Sequence, residues 1–343
     1  MTGSIVTLTA NPSLDRTLAL PGALERGAVA RLGASHTEPG GKGVNVSRAV
    51  AAAGADVVSV LPAADDDPIV RALQALGLRL ATVPVTDAVR TNYTLTEPDG
   101  TTTKLNEPGA RLDDDVRAAL LAAVVEHSAS ARWVALCGSL PPGTPLDWYA
   151  DLVRAVRSSG AKIAVDTSEA PLLALLAAGP DAAPDLLKPN TDELAQLAGV
   201  PEEVVVSDPE AALAAVATLH ARGVDAVLLT LGADGALLST ADGGLFSARP
   251  PRITVRSTVG AGDCSLAGYL LADLAGASPA DRLRSAVAYG SASASLPGSA
   301  VPTPDQVDLT AVQVTPGYPR STAPQQDPTP HATPVAAAGR DAR

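Results

Sequence analysis

Apolar residues occur along this chain in short unbroken runs, separated by longer stretches where they recur at helical spacing. The runs Ile5 to Ala10, Val57 to Leu61, Trp133 to Cys137, Lys162 to Asp166, Asp185 to Lys188 and Ala226 to Leu231 predict core strands. Between them Val44 to Ala53, Pro68 to Leu76, Asp113 to Glu126, Leu146 to Ser158 and Pro209 to Arg222 predict helices. A strand with no polar face must be covered on both sides. The alternation therefore predicts a mainly parallel sheet inside a three-layer α/β/α domain.

Two stretches depart from that rhythm. Thr17 to Leu20 and Ala28 to His36 are short extended candidates bounded by Gly22, Gly27 and Pro39. Arg90 to Glu97 and Thr101 to Asn106 alternate apolar and polar residues across Glu97-Pro98-Asp99-Gly100, where Asp-Gly signals a hairpin turn. These four segments, within about 16–36 and 89–107, predict a small second sheet, a lid over the strand ends that excludes water. From Thr315 onward, Pro316, Pro319, Pro324, Pro328, Pro330 and Pro334 lie among Ser, Thr, Gln and Ala. Such a stretch has too few apolar residues to repay ordering, so 1–314 reads as the folded domain and 315–343 as a disordered tail.

Composition narrows the function classes. The chain is 46% hydrophobic but only 2% aromatic, an aliphatic core suited to many short helices packed on a sheet. A net charge of −12 argues against general affinity for nucleic acid or anionic membranes, so a phosphorylated ligand has to be caught by locally placed cations. Cys137 and Cys264 have no metal-ligand spacing, as expected of a reduced cytosolic protein. No basic segment precedes an apolar one at the start, and no apolar run approaches the roughly 20 residues of a spanning helix. A cytoplasmic location follows as an expectation.

The most informative segment is Ser257-Thr258-Val259-Gly260-Ala261-Gly262-Asp263-Cys264, between the extended candidate Ile253 to Val255 and the helical run Leu266 to Leu274. Small residues at a helix start let backbone amides approach an anion, and Asp263 would sit at the edge of that pocket as a base for a substrate hydroxyl. The same residues also describe an acidic helix start with a glycine turn. Pro39-Gly40-Gly41-Lys42-Gly43-Val44-Asn45-Val46 enters another helix; Lys42 offers phosphate a point charge and Asn45 can bond sugar hydroxyls. It lacks the Walker A spacing, and a glycine turn with a solvated lysine reads equally well. Asp15, in Asn11-Pro12-Ser13-Leu14-Asp15 after the first strand, can accept from two sugar hydroxyls or cap a turn. Asn190 and Glu193 in Lys188-Pro189-Asn190-Thr191-Asp192-Glu193 suit either Mg²⁺ and its waters or a helix capping box. Thr230, Gly232 and Gly235 close a strand where ATP phosphates can lie against backbone, or form an ordinary turn.

Taken together, these motifs resemble the ribokinase-like, PfkB carbohydrate kinases, from about Thr9 to Gly298. Both family signatures are present, Pro39-Gly40-Gly41-Lys42-Gly43-Val44-Asn45 and Val259-Gly260-Ala261-Gly262-Asp263. Asn11-Pro12-x-x-Asp15 and Leu105-Asn106-Glu107-Pro108-Gly109 are similar to the 1-phosphofructokinase and tagatose-6-phosphate kinase branch. The resemblance implies ATP with Mg²⁺, Asp263 as catalytic base and the amides of Gly260, Ala261 and Gly262 as an anion hole. It implies sugar-phosphate contacts from Asp15, Gly41, Lys42, Asn45, Arg90, Asn92, Asn106 and Ser139, with Lys42 and Arg90 on the existing phosphate. It assigns Lys188, Asn190, Glu193, Thr230, Gly232 and Gly235 to ATP and magnesium, with Ser293 and Leu296 at the adenine. Arg31, on a lid strand, implies a homodimer through the lid. Cys264 and Tyr289 depart from the family pattern and put the nucleotide pocket's shape in question. D-fructose 1-phosphate is the expected substrate, with tagatose 6-phosphate and fructose 6-phosphate as alternatives. A non-catalytic sugar-phosphate-binding regulator is the reading from another class.

Overall fold

The computed structural model describes residues 3–318. The N-terminal strands are β1 (Ser4–Thr9), β2 (Ser13–Ala19), β3 (Ala34–Gly40), β4 (Val57–Pro62), β5 (Arg79–Val83), β6 (Arg90–Thr96) and β7 (Thr102–Asn106). They are followed by β8 (Ala131–Cys137), β9 (Lys162–Asp166), β10 (Leu186–Leu187), β11 (Ala226–Thr230), β12 (Ala236–Thr240), β13 (Leu245–Arg249) and β14 (Gln313–Pro316). The helices are α1 (Lys42–Ala52), α2 (Pro68–Ala75), α3 (Asp114–Ser128), α4 (Trp148–Arg157), α5 (Glu169–Ala177), α6 (Thr191–Ala198), α7 (Glu202–Ser207), α8 (Pro209–Ala221), α9 (Ala261–Leu274) and α10 (Pro279–Ala294).

The large sheet runs β14-β13-β12-β11-β10-β9-β8-β1-β4-β5, parallel from β11 to β5 and antiparallel at the β12–β14 edge. Successive residues of a strand point to opposite faces, and β1 is buried on both. Val6 and Leu8 pack with α3, α4, α5 and α8, while Ile5 packs with α1, α9 and α10. That is the three-layer arrangement expected from unbroken apolar strands. None of the helices among the described residues is long and apolar enough to cross a membrane.

The second sheet has the order β3-β2-β6-β7 and carries the hairpin at Asp99-Gly100. β6 and β7 lie within the expected 89–107, whereas β2 and β3 extend beyond 16–36 toward the main domain, pairing along their whole length from Ser13↔Gly40 to Ala19↔Ala34. The expected strand from Ala28 to His36 is therefore shifted. Pro21 and Gly22 end β2, so residues 28–33 have no strand to pair with, and Arg31 lies exposed in an irregular segment rather than on a lid strand.

Two further expectations are corrected. Ile253 to Val255 is not a strand: Pro250 and Pro251 remove two ladder donors, and the segment runs exposed toward α9. The edge beside β13 is taken by β14, where Thr315 pairs with Ser247 and Pro316 with Phe246. The folded domain consequently continues past 314, and residues 319–343 of the expected tail lie outside the described residues.

Candidate active site

β1 lies between β4 and β8, so the chain leaving its C-terminal end turns to one side of the sheet and returns much later on the other. Crevices at such reversals, beyond the carboxyl ends of parallel strands, are where open α/β sheets bind ligands. Two clusters of polar side chains meet there.

The first cluster surrounds Asp263. Gly260 enters α9 at φ 78°, a left-handed conformation that a side chain resists, and Cys264 N closes the first turn on Gly260 O at 2.8 Å. Ala261 N is engaged weakly with Thr258 O at 3.4 Å, whereas the amides of Gly260, Gly262 and Asp263 have no carbonyl partner among the described residues. These are the unpaired first-turn donors of a helix, and they suit an anion. Asp263 sits in that turn, 7% exposed, and Asn45 Nδ2 donates to its Oδ2 at 2.9 Å. Burial first, and the facing carboxylate of Asp166 second, push the Asp263 carboxyl up to about 6, against the pull of Lys42, the Asn45 amide and Lys188.

Asp166, at the end of β9, is fully buried between two ammonium groups. Lys42 Nζ donates to its Oδ1 at 2.7 Å, and Lys188 Nζ stands 3.0 Å from Oδ2 as an ion pair outside directed hydrogen-bond geometry. Burial works against its ionisation, but Lys188 and then Lys42 outweigh it and hold the carboxyl below its ordinary value. Lys42 also reaches Glu193 Oε1 at 3.6 Å; despite burial, Asp166, Glu193 and Asp263 raise its proton affinity. Lys188 Nζ lies 3.3 Å from where a side chain on Gly262 would begin.

α1 positions this cluster because its first turn packs on β1. A side chain at Gly43 would meet Leu8 O at 2.8 Å, so only glycine permits that approach. Lys42, Asn45 and Arg48 then follow one another on the same helix face. Asn45 was expected to reach sugar hydroxyls. Both of its amide ends are engaged within the protein, with Asp263 and Arg48, which leaves one N–H and one oxygen lone pair of the amide uncommitted.

The second cluster lies where the lid joins the sheet. Asp15 Oδ1 accepts from Ser13 Oγ at 2.8 Å and Asn92 Nδ2 at 3.1 Å, and Asn92 pairs across strands with the exposed Asn106. Asn11 Nδ2 donates to Pro108 O at 3.1 Å and Ser139 Oγ at 3.4 Å. Arg90 donates to Glu107 O at 3.1 Å and Asn11 O at 3.2 Å, leaving its buried Nε without a partner. The Gly40-Gly41-Lys42 segment connects the two clusters: Gly40 packs on Asp15, Gly41 on Thr9 and Pro12, and Lys42 reaches Asp166. Lys42 thus contacts Asp166 and Glu193, whereas Arg90, its expected companion on the existing phosphate, contacts Glu107 and Asn11.

The remaining expected residues line the strand ends beyond β9. Asn190 and Glu193 form a reciprocal capping box at 2.8 and 2.9 Å, the plainer of the two arrangements open to them. Glu193 Oε1 still faces Lys42, and the described residues contain no group of three or more His, Cys, Asp or Glu placed to hold a metal. This donor set fits a cation held mainly by phosphates and water rather than by a cage of protein oxygens. Thr230 N donates to Pro189 O at 3.0 Å beside Asn190, Gly232 faces open space, and Gly235 is pressed against Ala248 O. Ser293 Oγ donates to Ala300 O at 3.4 Å, and Leu296 is half-buried just beyond α10. Cys264 is buried, and Tyr289 is buried against Gly268 where α9 and α10 touch.

Residues 9–306 match the family model described as pfkB family carbohydrate kinase. The chain belongs to this family. It is 38% identical over 274 residues, 78% of this chain and 83% of the relative, to a 1-phosphofructokinase of Xanthomonas campestris pv. campestris. Among solved structures it resembles phosphofructokinase-2 from Escherichia coli in complex with fructose-6-phosphate, with TM-score 0.78 and 31% identity over 85% of this chain and 94% of that one. Arabidopsis thaliana ribokinase complexed with ribose and ATP, at TM-score 0.68, 21% identity and coverages of 87% and 94%, shows the ribokinase-like fold alone.

Asp166 and Arg48 of this kinase are the site residues that sequence reasoning missed. Asp166 carried a signal, since it is an acid closing an otherwise apolar strand at the sheet's carboxyl edge.

Proposed function

We propose that the kinase transfers the γ-phosphoryl group of ATP to the free primary hydroxyl of D-fructose 1-phosphate, giving D-fructose 1,6-bisphosphate. The observation that carries this reading is the Asp263 carboxylate, buried in a helix start whose Gly260, Gly262 and Asp263 amides have no partner among the described residues, beside the Lys42–Asp166–Lys188 ion-pair cluster. Asp263 takes the hydroxyl proton as oxygen attacks phosphorus, and the Gly262 and Asp263 amides receive the phosphoryl oxygens. The Gly260 amide, likewise without a partner among the described residues, and the weakly engaged Ala261 amide complete that anion hole. Lys42 and Lys188 are the cations nearest the transferred group and offset its charge.

Asp15, Asn92, Asn106, Asn11, Ser139 and Arg90 face the sugar phosphate under the lid. Thr230, Gly232, Gly235, Ser293 and Leu296 line the nucleotide's side of the crevice. Glu193 and Asn190 would be the residues nearest a Mg²⁺ ion, which when bound would supply charge neutralisation at the phosphates. A homodimer through the lid fits the same reading, because Leu24, Val29, Leu32 and Leu105 expose apolar side chains on the lid and its connecting segment.

The substrate assignment draws on the relative named 1-phosphofructokinase and is tested by kcat/KM for D-fructose 1-phosphate, D-tagatose 6-phosphate and D-fructose 6-phosphate. The first should be highest. A higher value for either 6-phosphate overturns the substrate assignment, and the absence of ADP release with all three leaves the regulator reading standing.

Lys42 gives a second test. Lys42→Met is expected to lower kcat by about 10²-fold, as for a lost charge-stabilising group, with a smaller change in KM for the sugar phosphate. A rise in that KM alone would return Lys42 to the anchored phosphate.

A further inference from the structure

Arg48 is buried on α1, and none of the steps above uses it. Its Nη1 donates to Pro39 O at 3.0 Å, Ser299 O at 3.1 Å and Asn45 Oδ1 at 3.3 Å, sharing two hydrogens among three acceptors. Its Nη2 faces Glu38 Oε1 at 3.4 Å, and Glu38 Oε2 accepts from Ser299 N at 3.0 Å and Ser299 Oγ at 3.1 Å. Glu38 and Pro39 belong to lid strand β3, and Ser299 follows α10. One guanidinium thus joins the lid, the loop beyond α10 and the residue that holds Asp263.

The chemistry of the amide gives this joint a direction. Asn45 accepts at one end and donates at the other, while a guanidinium can only donate. Arg48 therefore draws the amide oxygen toward itself and leaves Nδ2 facing Asp263. Without Arg48 the amide is free to turn its oxygen toward the carboxylate, which repels it.

We propose that Arg48, braced by Glu38, is a positioning residue that locks Asn45 in the orientation donating to Asp263 and so couples the base to the lid strand and the loop beyond α10. This rests on the reading of Asp263 as the base. The charged or titratable groups facing Asp263 are Lys42 on α1, Asp166 on β9, Lys188 beyond β10, Cys137 on β8 and Cys264 on α9. Arg48 addresses Asn45 directly, and Glu38, with His36 at 3.8 Å, faces Arg48.

The discriminating variant is Arg48→Lys, which keeps the charge but loses the planar fork. Losing the hydrogen bond to the carboxylate raises the pH at which Asp263 ionises. The acid limb of the kcat–pH profile should move up by about one unit, so that kcat below the limb, near pH 5, should fall about tenfold. KM values for ATP and the sugar phosphate should change little. In an Asn45→Ala background the same substitution should add no shift. If Arg48→Lys does not fold, Glu38→Gln should move the limb in the same direction by less.

An unmoved limb, or equal shifts in both backgrounds, overturns the relay. Retained turnover in Asp263→Asn overturns the base itself. A limb that vanishes in Asp263→Asn but stays fixed in Arg48→Lys sinks the relay alone.

Discussion

Asp263→Asn is expected to lower kcat by roughly 10²-fold or more, the range for a lost general base, with KM for both substrates nearly unchanged. The substitution keeps the side chain's shape and its contact with Asn45, so little of the loss can be assigned to packing. The wild-type profile supplies an independent check. Asp263 acts as a base only when ionised, and its carboxyl is pushed up to about 6, so kcat should fall as pH drops through about 6. That limb should be absent from the variant's residual activity. Steady-state kinetics from pH 5 to 8 would measure both, and near-normal turnover in the variant would remove Asp263 from the chemistry. A limb that persists unchanged would belong to another group.

How far such a site can be read from sequence depends on the physical signal that each part leaves. The parallel strands were legible because burial on both faces writes unbroken apolar runs, as in Val57–Pro62, where every residue is buried. The lid was legible from alternation and from Asp99-Gly100. Strands β12 to β14 were not: Ala236–Thr240 and Leu245–Arg249 add antiparallel to β11 as short strands without an unbroken apolar run, and β13 is covered by Gln313–Pro316, far away in sequence. The glycine-flanked residues Asp263, Lys42 and Asn45 announced themselves through local backbone chemistry. Their partners did not: Asp166 lies 124 residues from Lys42, and Asn45 lies 218 residues from Asp263. Sequence spacing therefore placed Lys42 at a phosphate but could not decide which phosphate. Its ion pair with Asp166 supports the transferred one.

Asp166→Asn is the most demanding test of that cluster, because one change should both lower stability and move the pH profile. Asp166 is fully buried, and Lys188, only 5% exposed, loses its sole ion-pair partner among the described residues when the charge is removed. Breaking a buried pair from one side costs about 3–5 kcal/mol, since the remaining charge is left uncompensated. The carboxyl is held below its ordinary value, so its stabilisation is fully present above about pH 4 and lost only as pH falls through its lowered folded value. Urea unfolding at pH 7 should therefore read the whole difference. Asp166 also repels the charge on Asp263, so removing it should let Asp263 ionise at lower pH and move the acid limb below about 6. The plateau kcat should fall, because a weaker base takes the hydroxyl proton less readily. Lower stability with an unmoved limb would mean that burial alone sets the proton affinity of Asp263, leaving Asp166 to hold the two lysines and nothing more.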